Sequence, residues 1–178
     1  SRELDWSKFD LIYAGAQKNI GPAGVVLVVV KNDWIAEAKT DAPTMLQYKT
    51  HSSKESMFNT PPCLPIFVVG RTFKWILEQG GLKAVQEMNE KKAAVLYDII
   101  DANPDFYKGT VLDKNDRSLM NVTWNLPTPE LEAKFVKEAK EKYNMTNLKG
   151  HRSVGGVRAS IYNACPIESV QALANFMQ

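Results

Sequence analysis

The sequence predicts an α/β protein in two parts: a sheet-bearing part over 1–81 and a smaller α+β part over 82–178. Three observations carry this expectation. GVVLVVV at 24–30 is an unbroken, mostly β-branched run, the pattern of a strand buried on both faces. The pair Gly80-Gly81 separates two strongly helical patterns and supplies the boundary. Beyond it, Met120, Val122, Trp124 and Leu126 alternate with Asn121, Thr123 and Asn125, as in a strand with one face on a core. At roughly 150 residues per domain, a chain of 178 residues allows one domain, or one domain plus a piece of another.

In order along the chain, 9–15 reads as a short strand and 24–30 as the doubly buried one. A polar stretch at 39–60 follows. The expected cover for two strand faces is therefore missing nearby, which points to a sheet completed partly by residues before Ser1. NTPPCLP is the clearest helix start: Asn59 and Thr60 suit capping, and prolines suit a first turn. Ile66, Val69, Phe73, Ile76 and Leu77 continue it with helical spacing. A second helix over 82–102 carries Val85, Met88, Val95, Leu96, Ile99 and Ile100 and ends before Asn103-Pro104. Strands are expected at 106–112 and 119–126. Thr128-Pro129 then caps a helix to about 143 with Leu131, Phe135, Val136 and Ala139 inward. Strand-like stretches at 147–150 and 157–163 precede a last helix opened by Pro166, bearing Val170, Leu173 and Met177. Helices on one face of a small antiparallel or mixed sheet would complete this part.

Composition sets several classes aside. Hydrophobic residues make up 44% and charged residues 24%, an ordinary globular balance rather than a disordered or collagenous one. Lys and Arg exceed Asp and Glu by only two charges, so no long-range positive field argues for nucleic acid or an anionic membrane. Any anion site must be local. Cys63 and Cys165 lie far apart, outside zinc or redox spacings, and predict a reducing, cytoplasmic setting. The longest apolar run is far short of the roughly 20 residues a membrane helix requires, and SRELDWSKFD is too charged for a signal peptide. Ser1 is not an initiator Met, which fits either processing or a start inside a longer protein.

Three stretches could carry chemistry. In AGAQKNIGPAG, Lys18 stands between two strands among glycines that let backbone turn sharply and approach a ligand. A free lysine, with a pKa near ~10.4, is a poor nucleophile at neutral pH. An apolar setting or a neighbouring cation frees its amine for Schiff-base chemistry, and Gln17 and Asn19 could hydrogen-bond a phosphate. An ordinary turn lysine is the commoner reading of such spacing. In KGHRSVGGVRAS, His151 and Arg152 suit a small, doubly anionic ligand, because an arginine fork matches a carboxylate and an adjacent histidine can hold a phosphate oxygen. A solvated basic turn would look the same. Asn59-Thr60, at a helix start where free N–H groups favour phosphate, is explained equally by simple capping. A P-loop and a dinucleotide-binding glycine fingerprint do not occur, and two isolated histidines form neither a metal site nor a Ser-His-Asp triad.

Taken together, IYAGAQKNIGPAG, YKTHSSKESMFNTPPCLPIFVVG, WILEQGGL, RSLMNV and LKGHRSVGGVRASIYNA are similar, in this order and over nearly the whole chain, to the C-terminal half of the phosphoserine aminotransferase family. These are fold-type I, class V aminotransferases of serine biosynthesis. The resemblance implies that 1–81 is the C-terminal portion of a large domain that binds pyridoxal 5'-phosphate, and 82–178 a small C-terminal domain. It implies that Lys18 bonds covalently to the cofactor, with Gln17 beside its phosphate. Asn59 and Thr60 would reach the cofactor phosphate of the neighbouring subunit in a homodimer with shared active sites. Arg152 would take the substrate α-carboxylate and His151 the substrate phosphate, for glutamate, O-phosphoserine and 3-phosphohydroxypyruvate.

The family's N-terminal half brings the aspartate, stacked aromatic ring and further phosphate ligands around the cofactor. The resemblance thus implies a segment with little transaminase activity alone. Two other readings remain: a non-catalytic folded fragment that keeps only association surfaces, and a related class V enzyme such as a cysteine desulfurase, which the GHRSVGG and NTPP stretches oppose.

Overall fold

The computed structural model describes residues 1–178 and divides into two compact units, Arg2–Gly81 and Leu82–Gln178, the second also holding Ser1.

In the first unit, β1 (Leu11–Gly15) and β2 (Val26–Val30) form an antiparallel ribbon, with Leu11 opposite Val30 and Gly15 opposite Val26. The double burial expected of 24–30 is not realised. Val26 is 62% exposed and Val29 52%, because β1 is the sole strand paired with β2 and a two-stranded ribbon leaves both faces open. Two short helices not anticipated from the sequence follow, α1 (Asn32–Glu37) and α2 (Tyr48–Ser52). The second lies inside the polar stretch, whose polar side chains turn inward on backbone: Thr50 Oγ1 donates to the Thr44 carbonyl at 2.8 Å and His51 Nε2 meets the Met45 carbonyl at 3.0 Å.

The next helix, α3 (Cys63–Glu78), starts later than expected. Pro62 occupies the position before its first residue and no side chain caps it, so Asn59 and Thr60 do not cap α3. The reason is local sterics. A residue before proline is pushed out of the helical region, and Thr60 and Pro61 each precede one. Val69 and Ile76 are buried, whereas Ile66, Phe73 and Leu77 of the expected inward stripe are exposed, Leu77 by 74%.

The second unit is built differently. Helix α4 (Gly81–Ala102) turns Val85, Asn89, Lys92, Ala93, Leu96 and Ile100 inward. Both of its polar members donate inward: Asn89 Nδ2 to Asn163 Oδ1 at 2.8 Å, and Lys92 Nζ to the carbonyls of Ile161, Tyr162 and Cys165 at 3.2, 2.8 and 3.1 Å. Burial pushes Lys92 below the usual lysine pKa, with Cys165 opposing the shift. The strands β3 (Lys108–Gly109), β4 (Asn121–Asn125) and β5 (Val157–Ser160), with helices α5 (Pro129–Tyr143) and α6 (Ile167–Met177), complete the unit. The sheet is antiparallel in the order β3-β4-β5, with Trp124 opposite Gly109 on one side and Val157 on the other.

The alternation in β4 holds, since Val122 and Trp124 are fully buried. Trp124 meets Phe135 of α5 edge-on at 6.1 Å, and Phe135 meets Phe176 of α6 at 4.8 Å, so the sheet and both helices close on one aromatic cluster. Thr128 caps α5 as anticipated, its hydroxyl accepting from the Leu131 N–H.

The strands come out shorter than expected, most markedly at three places in this unit. Of 106–112, 108–109 form the strand and Thr110 N–H adds one bond to the Thr123 carbonyl, because Phe106 and Tyr107 give their N–H groups to the Asn103 carbonyl and Arg117 Nε takes the Val111 carbonyl. At 147–150 a single bridge forms, Lys149 to Val157. Beyond Ser160 the chain leaves the sheet after one further bond, Ile161 N–H to the Met120 carbonyl, and its carbonyls turn to Lys92.

Candidate active site

The first candidate lies in the β1–β2 connection. Ala16 N–H donates to the Val25 carbonyl at 2.9 Å and Ile20 N–H to the Ala16 carbonyl at 3.2 Å, which closes a compact turn over a fully buried Ala16. Gln17 and Lys18 project from it and are exposed. Lys18 has φ +78°, in the left-handed region that a non-glycine side chain adopts at a cost, and such strain concentrates where a side chain must be held in one direction. The turn is pressed onto α3. A Cβ at Gly21 would come within 2.6 Å of Val69 Cγ2, so glycine is required there by space. Nothing engages the Lys18 ammonium, neither a carboxylate nor a carbonyl, and a free primary amine on a rigid turn suits carbonyl condensation.

Asn59 and Thr60 are also exposed. They stand just ahead of α3, the helix that carries the Lys18 turn. Asn59 Nδ2 reaches Met45 Sδ at 4.0 Å, which ties this segment to the turn Thr44–Leu46. Their placement removes the argument from a helix N-terminus, because the open N–H groups of α3 belong to residues further on.

His151 and Arg152 lie in the second unit, in a loop closed on itself. Gly150 N–H donates to the Gly156 carbonyl at 2.8 Å, and Val154 and Gly155 N–H donate to the His151 carbonyl at 2.9 and 2.8 Å. A Cβ at Gly150 would overlap the Gly155 carbonyl, so only glycine fits. The Ser153 backbone N–H donates to His151 Nδ1 at 3.3 Å, with the Ser153 hydroxyl 2.6 Å from the same atom. Nδ1 is therefore an acceptor, which assigns the ring proton to Nε2 and leaves a donor for an anion. The loop borders a cleft of about 730 Å³ with an apolar floor of Ala133 and Val136 and a rim that adds Lys137, Lys140 and Lys149.

Sequence reasoning missed Ser153, which sets the imidazole proton, and Glu132, which reaches the same loop from α5: its Oε2 accepts from Gly156 N–H at 3.2 Å. The loop spacing offered a signal for Ser153, two residues from a histidine. Glu132 is separated from its partner by 24 residues and left none.

The α/β arrangement thus sets a lysine on a strained turn in one unit and a loop with imidazole and guanidinium donors in the other. Residues 1–173 match the family described as Aminotransferase class-V, and the chain belongs to that family. It is 56% identical over its whole length to phosphoserine aminotransferase of Desulfotalea psychrophila. Among solved structures it superposes on phosphoserine aminotransferase from Bacillus circulans subsp. alkalophilus with a TM-score of 0.93 at 52% identity, covering 99% of this chain and 48% of that one. A PLP-bound phosphoserine aminotransferase from Trichomonas vaginalis gives a TM-score of 0.88 at 39% identity, covering 98% of this chain and 49% of that one. The chain spans about half the length of the curated relatives it matches, 48% for the Desulfotalea protein. The fold class is thus the α/β fold of these aminotransferases. No helix is long and apolar enough to cross a membrane.

Proposed function

We propose that this chain carries the reactive amine and an anion-binding loop of a phosphoserine aminotransferase. The reaction moves an amino group between glutamate and 3-phosphohydroxypyruvate, giving 2-oxoglutarate and O-phosphoserine in serine biosynthesis. The observation that carries the reading is Lys18: an unengaged amine on a turn that α3 and a strained backbone hold in one direction. Pyridoxal phosphate, when bound, supplies an aldehyde for that amine and a ring that accepts an electron pair.

The remaining roles belong to the chain's own groups. Lys18 Nζ would hold the cofactor through its aldehyde, and its amine would serve as the base that takes the proton from the substrate Cα. Gln17 would hold the cofactor phosphate, and Asn59 and Thr60 would hold the cofactor phosphate of a neighbouring subunit in a homodimer. Arg152 pairs with the substrate α-carboxylate in two parallel hydrogen bonds, and His151 donates from Nε2 to the substrate phosphate. The exposed apolar side chains Leu64, Phe67 and Leu77 support an associating surface, and the free thiols of Cys63 and Cys165 support a reducing, cytoplasmic compartment.

The test is covalent trapping. The chain is mixed with pyridoxal phosphate, reduced with borohydride, and digested for peptide mass analysis. Label on Lys18, abolished in Lys18→Ala, is expected. Label confined to other lysines, or absent, overturns the reading.

A further inference from the structure

The loop that bears His151 and Arg152 is tied to the rest of its unit by a carboxylate that no sequence motif picks out. Glu132 sits in the first turn region of α5, half-buried. One of its oxygens, Oε1, accepts from Asn125 Nδ2 at 3.0 Å and from the Leu126 N–H at 3.3 Å, at the end of β4. The other, Oε2, accepts from the Gly156 N–H at 3.2 Å. Gly156 is the residue whose carbonyl closes the loop onto Gly150, and its φ of +72° lies in a region that side-chain-bearing residues rarely adopt. It also lies against β4: a Cβ there would come within 2.7 Å of Asn125 Nδ2 and 2.8 Å of the Trp124 carbonyl. A single side chain thus fastens the loop's base to the end of β4 and the start of α5.

We propose that Glu132 is a positioning residue for substrate binding: by accepting from Gly156 on one oxygen and from Asn125 and Leu126 on the other, it fixes the direction in which the loop presents His151 and Arg152. The inference rests on the reading of those two residues as substrate contacts. The chemistry requires a carboxylate. All three partners are N–H donors, and charge-assisted bonds of this kind are about twice as strong as neutral ones. A glutamine has one acceptor oxygen, so it must turn an N–H group towards an N–H group on one side. The position near the N-terminal end of α5 also favours negative charge.

Glu132→Gln in the 178-residue chain tests this by amide NMR, hydrogen exchange and titration with O-phospho-L-serine. The Trp124 indole resonance is expected to stay in place, Gly156 to exchange about tenfold faster, and O-phospho-L-serine to bind about fivefold more weakly. Asn125→Ala, which spares the Gly156 bond, is expected to leave loop exchange and affinity close to those of the parent chain. Unchanged Gly156 exchange in Glu132→Gln overturns the proposal. So does displacement of the Trp124 resonance, which would make the carboxylate a general support of the unit, or an equal loss in Asn125→Ala. A parent chain whose loop does not respond to O-phospho-L-serine defeats the functional reading instead, and Gly156 exchange still decides the tether.

Discussion

The two units solve opposite problems with similar residues. In Leu82–Gln178 the apolar side chains meet one another: Trp124, Phe135, Phe176, Leu96 and Val122 form a continuous cluster between the sheet and its helices. In Arg2–Gly81 an equally apolar set, Val26, Val29, Leu64, Phe67 and Leu77, faces outward, and burial is confined to a few points such as Ala16, Val69 and Ile76. Apolar burial is the main favourable term in folding, so stability concentrates in the second unit. The first unit holds the strained turn that bears Lys18, supported by close contact rather than by a deep core. Local stiffness can therefore be built where global stability is not.

The sharpest way to break this comparison is to remove one large side chain from each unit. Trp124→Ala is expected to cost about 3–5 kcal/mol in denaturant unfolding, because it empties a fully buried site at the centre of the cluster. Leu77→Ala, at a side chain 74% exposed, is expected to stay within about 0.5 kcal/mol of the parent chain. Equal effects would show that the cluster does not dominate.

The turn is expected to fail by crowding. Gly21→Ala forces a methyl against Val69 Cγ2 and should cost about 1–3 kcal/mol, while slowing borohydride labelling of Lys18 several-fold. Adding Val69→Ala removes the opposing methyl and should restore part of the labelling. No restoration would mean that the turn is not positioned by α3.

A smaller, pH-dependent effect belongs to the second unit. Asp101 at the end of α4 receives Arg117 Nη1 and Nη2 at 2.9 and 2.7 Å and Lys114 Nζ at 2.9 Å, which hold its carboxyl well below the usual carboxylate range. A depressed carboxylate stabilises the fold above its unfolded value, and the contribution is lost as pH falls through the folded one, since the unfolded chain takes up the proton first. Solvent screening limits the gain, so Asp101→Asn is expected to cost about 1 kcal/mol near neutrality. That difference should shrink as unfolding is repeated below about pH 4. A difference independent of pH would assign it to packing.

These contrasts also mark what the sequence made legible. The alternation around Trp124, the Thr128 cap and the inward residues of α6 all depend on neighbours a few positions away, and each was readable. Asn59 and Thr60 were misplaced because capping chemistry and proline sterics compete, and two prolines delayed the helix to Cys63. Val26 and Val29 look like core because a β-branched run records what a strand suits, not what covers it. Lys92 and Glu132 escaped notice for another reason. Their partners lie 69 or more positions away for Lys92, and as far as 24 for Glu132, and distance along the chain carries no local pattern. The candidate stretches AGAQKN and GHRSVGG stand out because glycines around a charged residue are a local signal.

The smallest expected effect is the most informative about the first unit. Lys18 occupies a left-handed backbone position at φ +78°, where a side chain costs roughly 1 kcal/mol that glycine avoids. Glycine loses more freedom on folding, which takes back part of the gain. Lys18→Gly is therefore expected to leave the chain as stable as the parent or up to about 1 kcal/mol more stable, while labelling by pyridoxal phosphate at this position disappears. Lys18→Ala, which keeps the strain, should show the same loss of labelling without the gain. If Gly and Ala prove equally stable, the turn holds no strain at position 18, and the direction of the amine must be set by the contact with α3 alone.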